Sequence, residues 1–410
     1  MNLLLSANTA KINSEIKITG SKSETNRLLL LQALFPGIQI ENISNSDDAE
    51  VMQKGLSIKK GVVDIHHAGT AMRFLTSYFA STPDREVTLT GSTRMKERPV
   101  KILVDALRQL GADVQYIENE GFPPLRIKGQ NLSGNKVILA ANVSSQYISS
   151  LLLVAPILKN GLELTLDGEI TSVPYIKMTL ALLNDLGVKT SFTGNTVIVF
   201  PFDDPMVTKT ITVESDWSSA SYFFSLIALS QPGSEVTLSS YKENSLQGDA
   251  VLVEIYKQFG VRASFSNNSV KLVKETVEVA KTPFSYNLTN APDIAQTIAV
   301  TCFALGIGCH LTGLHTLKIK ETDRLEALKT ELVKLGASIQ VTNSELTLQP
   351  SAKINQHIAI DTYNDHRMAM AFAPLALKVP LIVNDAGVVS KSYPDFWNDL
   401  QKIGFHIQSF

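Results

Sequence analysis

Cysteine is nearly missing from this chain: Cys302 and Cys309 are the only two in 410 residues. Both sit in the apolar run AVTCFALGIGC, without the spacing of a metal site or a disulfide framework. They are expected in the core, and the protein in a reducing cytoplasm. An excess of one charge is also missing. Against 37 Lys and Arg stand 39 Asp and Glu, a formal net charge of −2. A broadly basic nucleic-acid binder is thereby excluded, and any anion must be gripped by a local cluster. Nowhere does an apolar run reach the ~18 residues of a membrane span. The first residues, MNLLLSANTAKINSEIKITG, lack the basic start and long apolar stretch of a signal peptide and read as a first strand. What is present is core material: 44% hydrophobic residues and a mean hydropathy of +0.08. The chain exceeds the ~250–300 residues at which one core stops growing, so two domains are expected.

Internal repetition is the strongest organising signal. VDALRQLGADVQYI, LALLNDLGVKTSFT, LVEIYKQFGVRASFS, LKTELVKLGASIQVT and FWNDLQKIGFHIQSF share one pattern. Each is an amphipathic helix stopped at a glycine, followed by an alternating strand. The glycines, Gly111, Gly187, Gly260, Gly336 and Gly404, are spaced by 76, 73, 76 and 68 residues. An apolar strand precedes each helix (EVTLTG, LELTLDG, SEVTLSS, CHLTGL, PLIVND). A compressed sixth copy is expected around Gly55. The unit is β-α-β-α-β-β, present six times, which suggests three per domain.

Charged knots fall at one place in this unit, after the upstream strand and before the helix. GSTRMKERPVKIL, LKIKETDRLEAL and VSKSYPDFW are the clearest. Basic loops at helix starts suit anions. GSKSETNR sets Lys22, Ser23, Asn26 and Arg27 at the head of an apolar helix, either as a phosphate or carboxylate cradle or as a Ser N-cap with solvated cations; the P-loop spacing is absent. HHAGTAMRFL offers Gly69, where a ligand can approach the backbone closely, and Arg73. Its paired histidines are not read as a metal site, because strand neighbours face opposite ways and no third ligand follows at a usual spacing. RMKERPV holds Arg94, Lys96 and Arg98 against one Glu97. VSSQYISS clusters hydroxyls and an amide that cap a helix or read a polyhydroxylated ligand. NAPDIAQ puts Asp293 at a helix start, as a cap or as a base. YNDHRMAM carries Asp365, His366 and Arg367. KIKETDR compresses Lys318, Lys320, Glu321, Asp323 and Arg324 into seven residues.

Taken in order, GSKSETNR, AGTAMR, RMKERP, SSQY, SVPY, APD, KETDR, YNDHRMAM and SKSYPDF resemble the enolpyruvyl transferases, specifically the branch acting on shikimate 3-phosphate. The resemblance spans nearly the whole chain. It implies a two-domain inside-out α/β barrel of six β-α-β-α-β-β repeats, three per domain, with the active site in the cleft. Residues 1–19 plus 216–410 would form a discontinuous domain and 20–215 an inserted one. The implied reaction joins shikimate 3-phosphate and phosphoenolpyruvate, which together carry about −5 to −6 charge. That accounts for cationic loops in a chain without positive excess. Lys22, Ser23, Arg27, Ser144, Ser145, Gln146, Ser172, Tyr175, Asp293 and Lys320 would surround shikimate 3-phosphate. Lys22, Gly69, Arg94, Gln146, Arg324, Arg367 and Lys391 would hold phosphoenolpyruvate. Asp293 would be the base and Glu321 the proton carrier, with Lys22 assisting. No metal, cofactor, nucleic acid or membrane is implied, and a cytoplasmic monomer is expected.

If the helix begins early, Glu321 shares the register of Leu325, Leu328 and Leu332 and points inward, where burial favours its neutral form. Departures from the family pattern are His67 where Asn is usual, Phe74 after Arg73 where Pro is common, Val173 where Lys is frequent, and Thr316 for a ligand-contacting Asn. The related enzymes acting on UDP-N-acetylglucosamine usually carry a reactive Cys in the loop that here reads GSTRMKERP. A non-catalytic relative would have lost Glu321, Asp293 or Lys22, and all three are present.

Overall fold

Four-stranded sheets recur along the chain with one wiring. In one of them Phe284–Asn287, Cys309–Thr312, Leu346–Leu348 and Ile339–Val341 lie side by side in that order. The first pair is parallel, and the other two pairings are antiparallel. A parallel pair cannot be closed by a tight turn, and the helix Ala295–Leu305 makes the crossover. The same order recurs in Lys60–Asp64, Glu86–Thr90, Leu125–Lys128 and Asp113–Tyr116. It recurs again in Lys136–Ala140, Leu162–Asp167, Thr196–Val199 and Thr190–Thr193, and in Asn13–Ile16, Glu235–Ser239, Ser269–Lys274 and Val261–Ser266. In a fifth sheet the strand Leu3–Ala7 takes the third place, antiparallel to both Leu381–Val383 and Phe405–Ser409. The two ends of the chain therefore meet in one sheet. The N-terminal segment holds two strands in two sheets, where the sequence suggested one. Ile38–Glu41 and Lys209–Thr212 form a two-stranded parallel sheet.

This computed structural model describes residues 1–410 except 8–10, 142–143, 169, 171–172, 203, 205–206 and 277–281. The five repeat glycines adopt φ of 95°, 95°, 76°, 99° and 99°. In this left-handed region a Cβ is costly, so glycine ends each helix and turns the chain into the next strand. Gly55 does something else. It lies inside the helix Asp47–Ser57, where an added Cβ would come within 2.5 Å of Leu75 Cδ1. The compressed copy has no C-cap glycine there.

The chain divides into two compact units, Met1–Gly20 with Glu214–Phe410, and Ser21–Val213. Each has its own apolar core. In the first, every residue of Trp217–Leu229 is buried; in the second, every residue of Gly69–Ser81 is. A helix apolar all round is an internal helix. Chemistry is therefore left to the ends of these helices and the loops preceding them. Cys302 and Cys309 are buried free thiols. Among the described residues no helix is long and apolar enough to cross a membrane.

Candidate active site

Within Ser21–Val213, charged side chains collect around the start of Gly69–Ser81. This helix has no side-chain N-cap, so its first backbone N–H groups remain available to an anion. The Arg98 guanidinium lies over Gly69: a Cβ built there would sit 2.7 Å from Nη1 and 2.9 Å from Nη2. Arg73 braces this arrangement. Its Nη1 donates to the Gly69 carbonyl (3.1 Å) and its Nη2 to the Pro99 carbonyl (3.2 Å), and its guanidinium lies 5.6 Å from the Tyr147 ring. Tyr147 Oη also donates to the Pro99 carbonyl, at 2.5 Å. The loop bearing Arg98 is thus pinned from behind. Gln146 reaches the same place, its Nε2 donating to Thr70 Oγ1 at 3.1 Å.

Lys22 opens the helix Lys22–Leu34, whose N-cap is Ser21. Ser23 lies one residue inside and does not cap it. Lys22 Nζ pairs with Asp48 Oδ2 at 3.4 Å, and His67 Nε2 lies 3.8 Å from Asp48 Oδ1. The two histidines occupy a turn and not a strand: His66 has φ 49° and sits beside Asp64, while His67 faces Asp48.

Arg27 is almost wholly buried, at 2% exposure. Its Nε donates to Thr179 Oγ1 (2.8 Å), Nη1 to the Ser23 carbonyl (2.7 Å), and Nη2 to Ser149 Oγ (2.8 Å) and the Tyr175 carbonyl (3.5 Å). Burial pulls its pKa down to about 10, although Tyr175 and Glu24 oppose this. Arg27 knits three helices together, with little of its donor capacity left for a ligand. Ser144 caps the helix Ser145–Val154, and Ser145 is its first, buried residue. Tyr175 is partly buried near the start of Val173–Asp185. Ser172 lies outside the described residues.

Arg94 is placed otherwise than expected. It is half exposed and paired with Glu97 at 3.0 Å on the solvent side. The cation of this loop that faces Gly69 is Arg98, which was passed over. Arg94 lies inside the short helix Thr93–Lys96, and Arg98 follows two residues after its end.

The unit containing Glu214–Phe410 holds the carboxylates. Arg324, 2% exposed, opens the helix Arg324–Lys334 and grips three of them. Its Nε donates to Asp365 Oδ2 (2.6 Å), Nη1 to Asp293 Oδ1 (2.8 Å) and Nη2 to Glu321 Oε2 (2.7 Å). Asp293 also meets Lys320 Nζ at 3.4 Å and Arg367 Nη2 at 3.4 Å. Burial alone would raise the Asp293 carboxyl. Lys320, Arg367 and Arg324 together outweigh burial and hold it far below the usual carboxylate range. Lys320 is lowered by burial, with Asp293 opposing. Arg324 and Arg367 are held firmly cationic by their carboxylates despite burial.

The helical register proposed for Glu321 does not hold. Asp323 is the N-cap, accepting from the N–H of Leu325 and Glu326, so Glu321 precedes the helix. Leu325, Leu328 and Leu332 are buried as expected, while the Glu321 side chain keeps 19% exposure. It is oriented by Arg324 and not by the helix. The dense charges of KIKETDR thus divide into a cap (Asp323), a grip (Arg324), two groups facing the cluster (Lys320, Glu321) and a cation turned to Asn343 (Lys318).

Arg367 lies on His366–Phe372, capped by Asp365. Lys391 ends the turn Ala386–Lys391, and its Nζ donates to the Asn364 carbonyl and Oδ1, both at 2.6 Å. Tyr363 (φ 52°) and Asn364 (φ 56°) are both left-handed, a strained turn that presents two acceptors to one ammonium. Among the described residues no group of His, Cys, Asp and Glu is arranged to hold a metal ion.

The family model described as EPSP synthase (3-phosphoshikimate 1-carboxyvinyltransferase) matches residues 37–400. The chain belongs to the EPSP synthase family. A 3-phosphoshikimate 1-carboxyvinyltransferase of Bacteroides fragilis (strain YCH46) is 46% identical over 413 residues, covering 100% of this chain and 99% of the relative. One from Histophilus somni (strain 2336) is 35% identical, covering 96% of this chain and 97% of its own. The solved EPSP synthase of Acinetobacter baumannii superimposes with a TM-score of 0.78 at 20% identity, each chain covered completely. The enolpyruvyl transferase NikO of Streptomyces tendae gives 0.73 at 14% identity, covering 99% of this chain and 98% of its own. These two structures speak to the fold alone, a mixed α/β fold shared with the enolpyruvyl transferases.

Proposed function

We propose that this enzyme transfers the enolpyruvyl group of phosphoenolpyruvate to the 5-hydroxyl of shikimate 3-phosphate, releasing phosphate in the route to aromatic amino acids. The full-length identity to enzymes named for this reaction supports it. So does the recurrence of one sheet wiring, which fits an inside-out barrel of six repeats, the copy around Gly55 being the reduced one. Lys22, Ser23, Ser144, Ser145, Gln146, Ser172, Tyr175, Asp293 and Lys320 bind shikimate 3-phosphate, and Arg27 sets the helices that carry several of them. Phosphoenolpyruvate is held by Lys22, Gln146, the helix start at Gly69, Arg324, Arg367 and Lys391, with Arg98 in place of Arg94.

The grip of Arg324 on Asp293 and Glu321 is the observation that carries the roles. In the free protein Asp293 is a poor base, because three cations favour its charged form. Anionic substrates recruit those same cations. As Arg324, Arg367 and Lys320 turn to phosphate and carboxylate oxygens, Asp293 loses stabilisation and its basicity rises. It then takes the proton of the 5-hydroxyl as that oxygen attacks C2. Glu321, partly exposed, takes a proton from solvent once Arg324 releases it and gives that proton to C3. The tetrahedral adduct next loses phosphate, which carries away the proton Asp293 took from the 5-hydroxyl, and Glu321 recovers the C3 proton.

Phosphate release with shikimate 3-phosphate as sole acceptor tests this. The wild type should turn over, and Glu321→Gln should lose about 10²-fold or more in kcat. Release that depended on UDP-N-acetylglucosamine would overturn the reaction. Undiminished release by Glu321→Gln would move the proton transfer to another group, with Lys22 first in line.

A further inference from the structure

Beside the carboxylate cluster lies a further acid to which the reaction gives no task. Asp249, in the short turn Gly248–Val251, is 3% exposed. Its Oδ2 is hydrogen-bonded to Ser218 Oγ, and its Oδ1 has no hydrogen-bond partner among the described residues. Ser218 Oγ in turn accepts from Arg367 Nη2 at 3.2 Å. The same guanidinium faces Asp293, Nη2 at 3.4 Å from Oδ2 and Nη1 donating to the carbonyl at 3.3 Å, and its Nε has no partner among the described residues. A hydroxyl thus links Asp249 to a phosphoenolpyruvate-binding arginine.

We infer that Asp249 is a positioning residue for Arg367 that takes up a proton when phosphoenolpyruvate binds, so that this ligand is held more weakly as pH rises. The inference rests on the reading that Arg367 binds phosphoenolpyruvate.

The electrostatic surroundings favour such a proton. The groups acting on Asp249 come from three neighbouring elements: Asp293 from the turn Pro292–Ile294, Arg367 from His366–Phe372, and Asp216 and Ser218 from the start of Trp217–Leu229. Burial pushes the Asp249 carboxyl up to about 7; Asp293 pushes the same way, Arg367 and the Ser218 hydroxyl oppose, and Asp216 adds to the rise. An ionised buried carboxylate with one oxygen lacking a donor is costly, so Asp249 stands near the balance between its two forms. When it is ionised, Ser218 O–H donates to Oδ2 while Arg367 N–H donates to Ser218, which ties the guanidinium back towards negative charge. When it is protonated at Oδ1 by a proton from solvent, that tie weakens and Arg367 can turn its charge to the ligand.

The sign follows from linkage. A bound anion adds to Asp293 and Asp216 and raises the Asp249 pKa further. The bound state therefore holds more protons than the free state, and affinity falls as pH climbs through the free protein's ionisation. The ligand's own second phosphate ionisation acts oppositely, since a fully charged phosphate binds cations better.

The test measures the KM for phosphoenolpyruvate by phosphate release, at saturating shikimate 3-phosphate, between about pH 6 and pH 8.5. Wild type, Asp249→Asn and Ser218→Ala are compared. In the wild type KM should rise by about threefold to tenfold, the effect of a pKa shift of up to about one unit, with kcat changing less. Asp249→Asn should show a flat or falling KM. In Ser218→Ala the midpoint should move to higher pH, because the carboxylate has lost the hydroxyl that favours its charge. A wild-type KM that stays flat, or Asp249→Asn keeping the wild-type rise, would overturn the inference. If Asp249→Asn does not fold, an unshifted midpoint in Ser218→Ala overturns it equally. A wild type that releases no phosphate would instead bring down the functional reading, and this inference with it.

Discussion

Consider Gly69→Ala, which separates the ligand-binding role proposed for Arg98 from any structural role of the glycine. A Cβ at this position would lie 2.7 Å from Arg98 Nη1, 2.9 Å from Nη2 and 3.0 Å from Cζ. The contact must open towards an ordinary separation of about 3.5 Å, so the guanidinium moves by roughly half an ångström or more. It is the far end of a flexible side chain, and it can move without disturbing the backbone. A charge-assisted hydrogen bond, however, wants about 2.7–2.9 Å. Displacement on this scale sacrifices most of one such bond, about 1.5–3 kcal/mol, or roughly 10- to 100-fold in KM for phosphoenolpyruvate. Stability should go the other way. Gly69 lies outside the left-handed region, so Ala is tolerated there and can add up to about 1 kcal/mol of helix propensity. Steady-state phosphate release and thermal unfolding, measured on one preparation, check both halves. An unchanged KM would show that Arg98 does not hold the ligand. A lowered Tm would show that the added methyl meets something stiffer than a guanidinium.

Arg324→Met should be costly to the fold as well as to activity. Asp365 is fully buried and pairs with Arg324 at 2.6 Å, and breaking one side of such a pair costs about 3–5 kcal/mol. A Tm drop of more than about 6 °C is expected, partly recovered by adding Asp365→Asn; a Tm unchanged in the single variant would refute the role. Glu331→Ala acts at a distance. Buried Glu331 accepts from Tyr363 Oη (2.6 Å), the Asp361 N–H (3.1 Å) and Lys334 Nζ (2.8 Å), and so anchors the turn whose Asn364 holds Lys391. Its loss should cost about 1–3 kcal/mol of stability and raise the phosphoenolpyruvate KM several-fold with kcat less affected. An unaltered KM would dissociate the turn from Lys391.

What could be read from the sequence was whatever local pattern decides. A helix stopped by glycine and followed by an alternating strand is a local event, and the five repeat glycines all take the left-handed φ that this reading requires. Gly55 escaped because a glycine inside a helix, serving close approach to Leu75, looks the same on paper as one that ends it. The motifs located the cations but not their aim. Arg94, inside the four-residue helix Thr93–Lys96, and Arg98, just past its end, differ in the side to which they point. That side is decided by Arg73 and Tyr147, which pin Pro99 from elsewhere in the unit. Glu321 failed for the opposite reason. Its spacing to Leu325, Leu328 and Leu332 fits a helix that runs through it, whereas Asp323, two residues later, is the better N-cap and starts the helix there.

The partners of the site's cations were the least legible of all. Asp48, 26 residues from Lys22, sits in an acidic helix start beside Asp47 and Glu50 that reads as ordinary capping, and Asp249, 118 residues from Arg367, sits in a segment with no charged knot. Yet these acids decide what the cations can do. A cation alone in a buried site would bind phosphate tightly and release it slowly. One that already shares its charge with Asp293, Asp365 or Asp249 gives up a partner when the ligand arrives and regains it when phosphate leaves. Because the acids sit within reach of the cations proposed to bind the substrates, ligand exchange and proton affinity become one equilibrium under that reading. In the mechanism proposed above, Asp293 is therefore strengthened as a base only while substrates are bound.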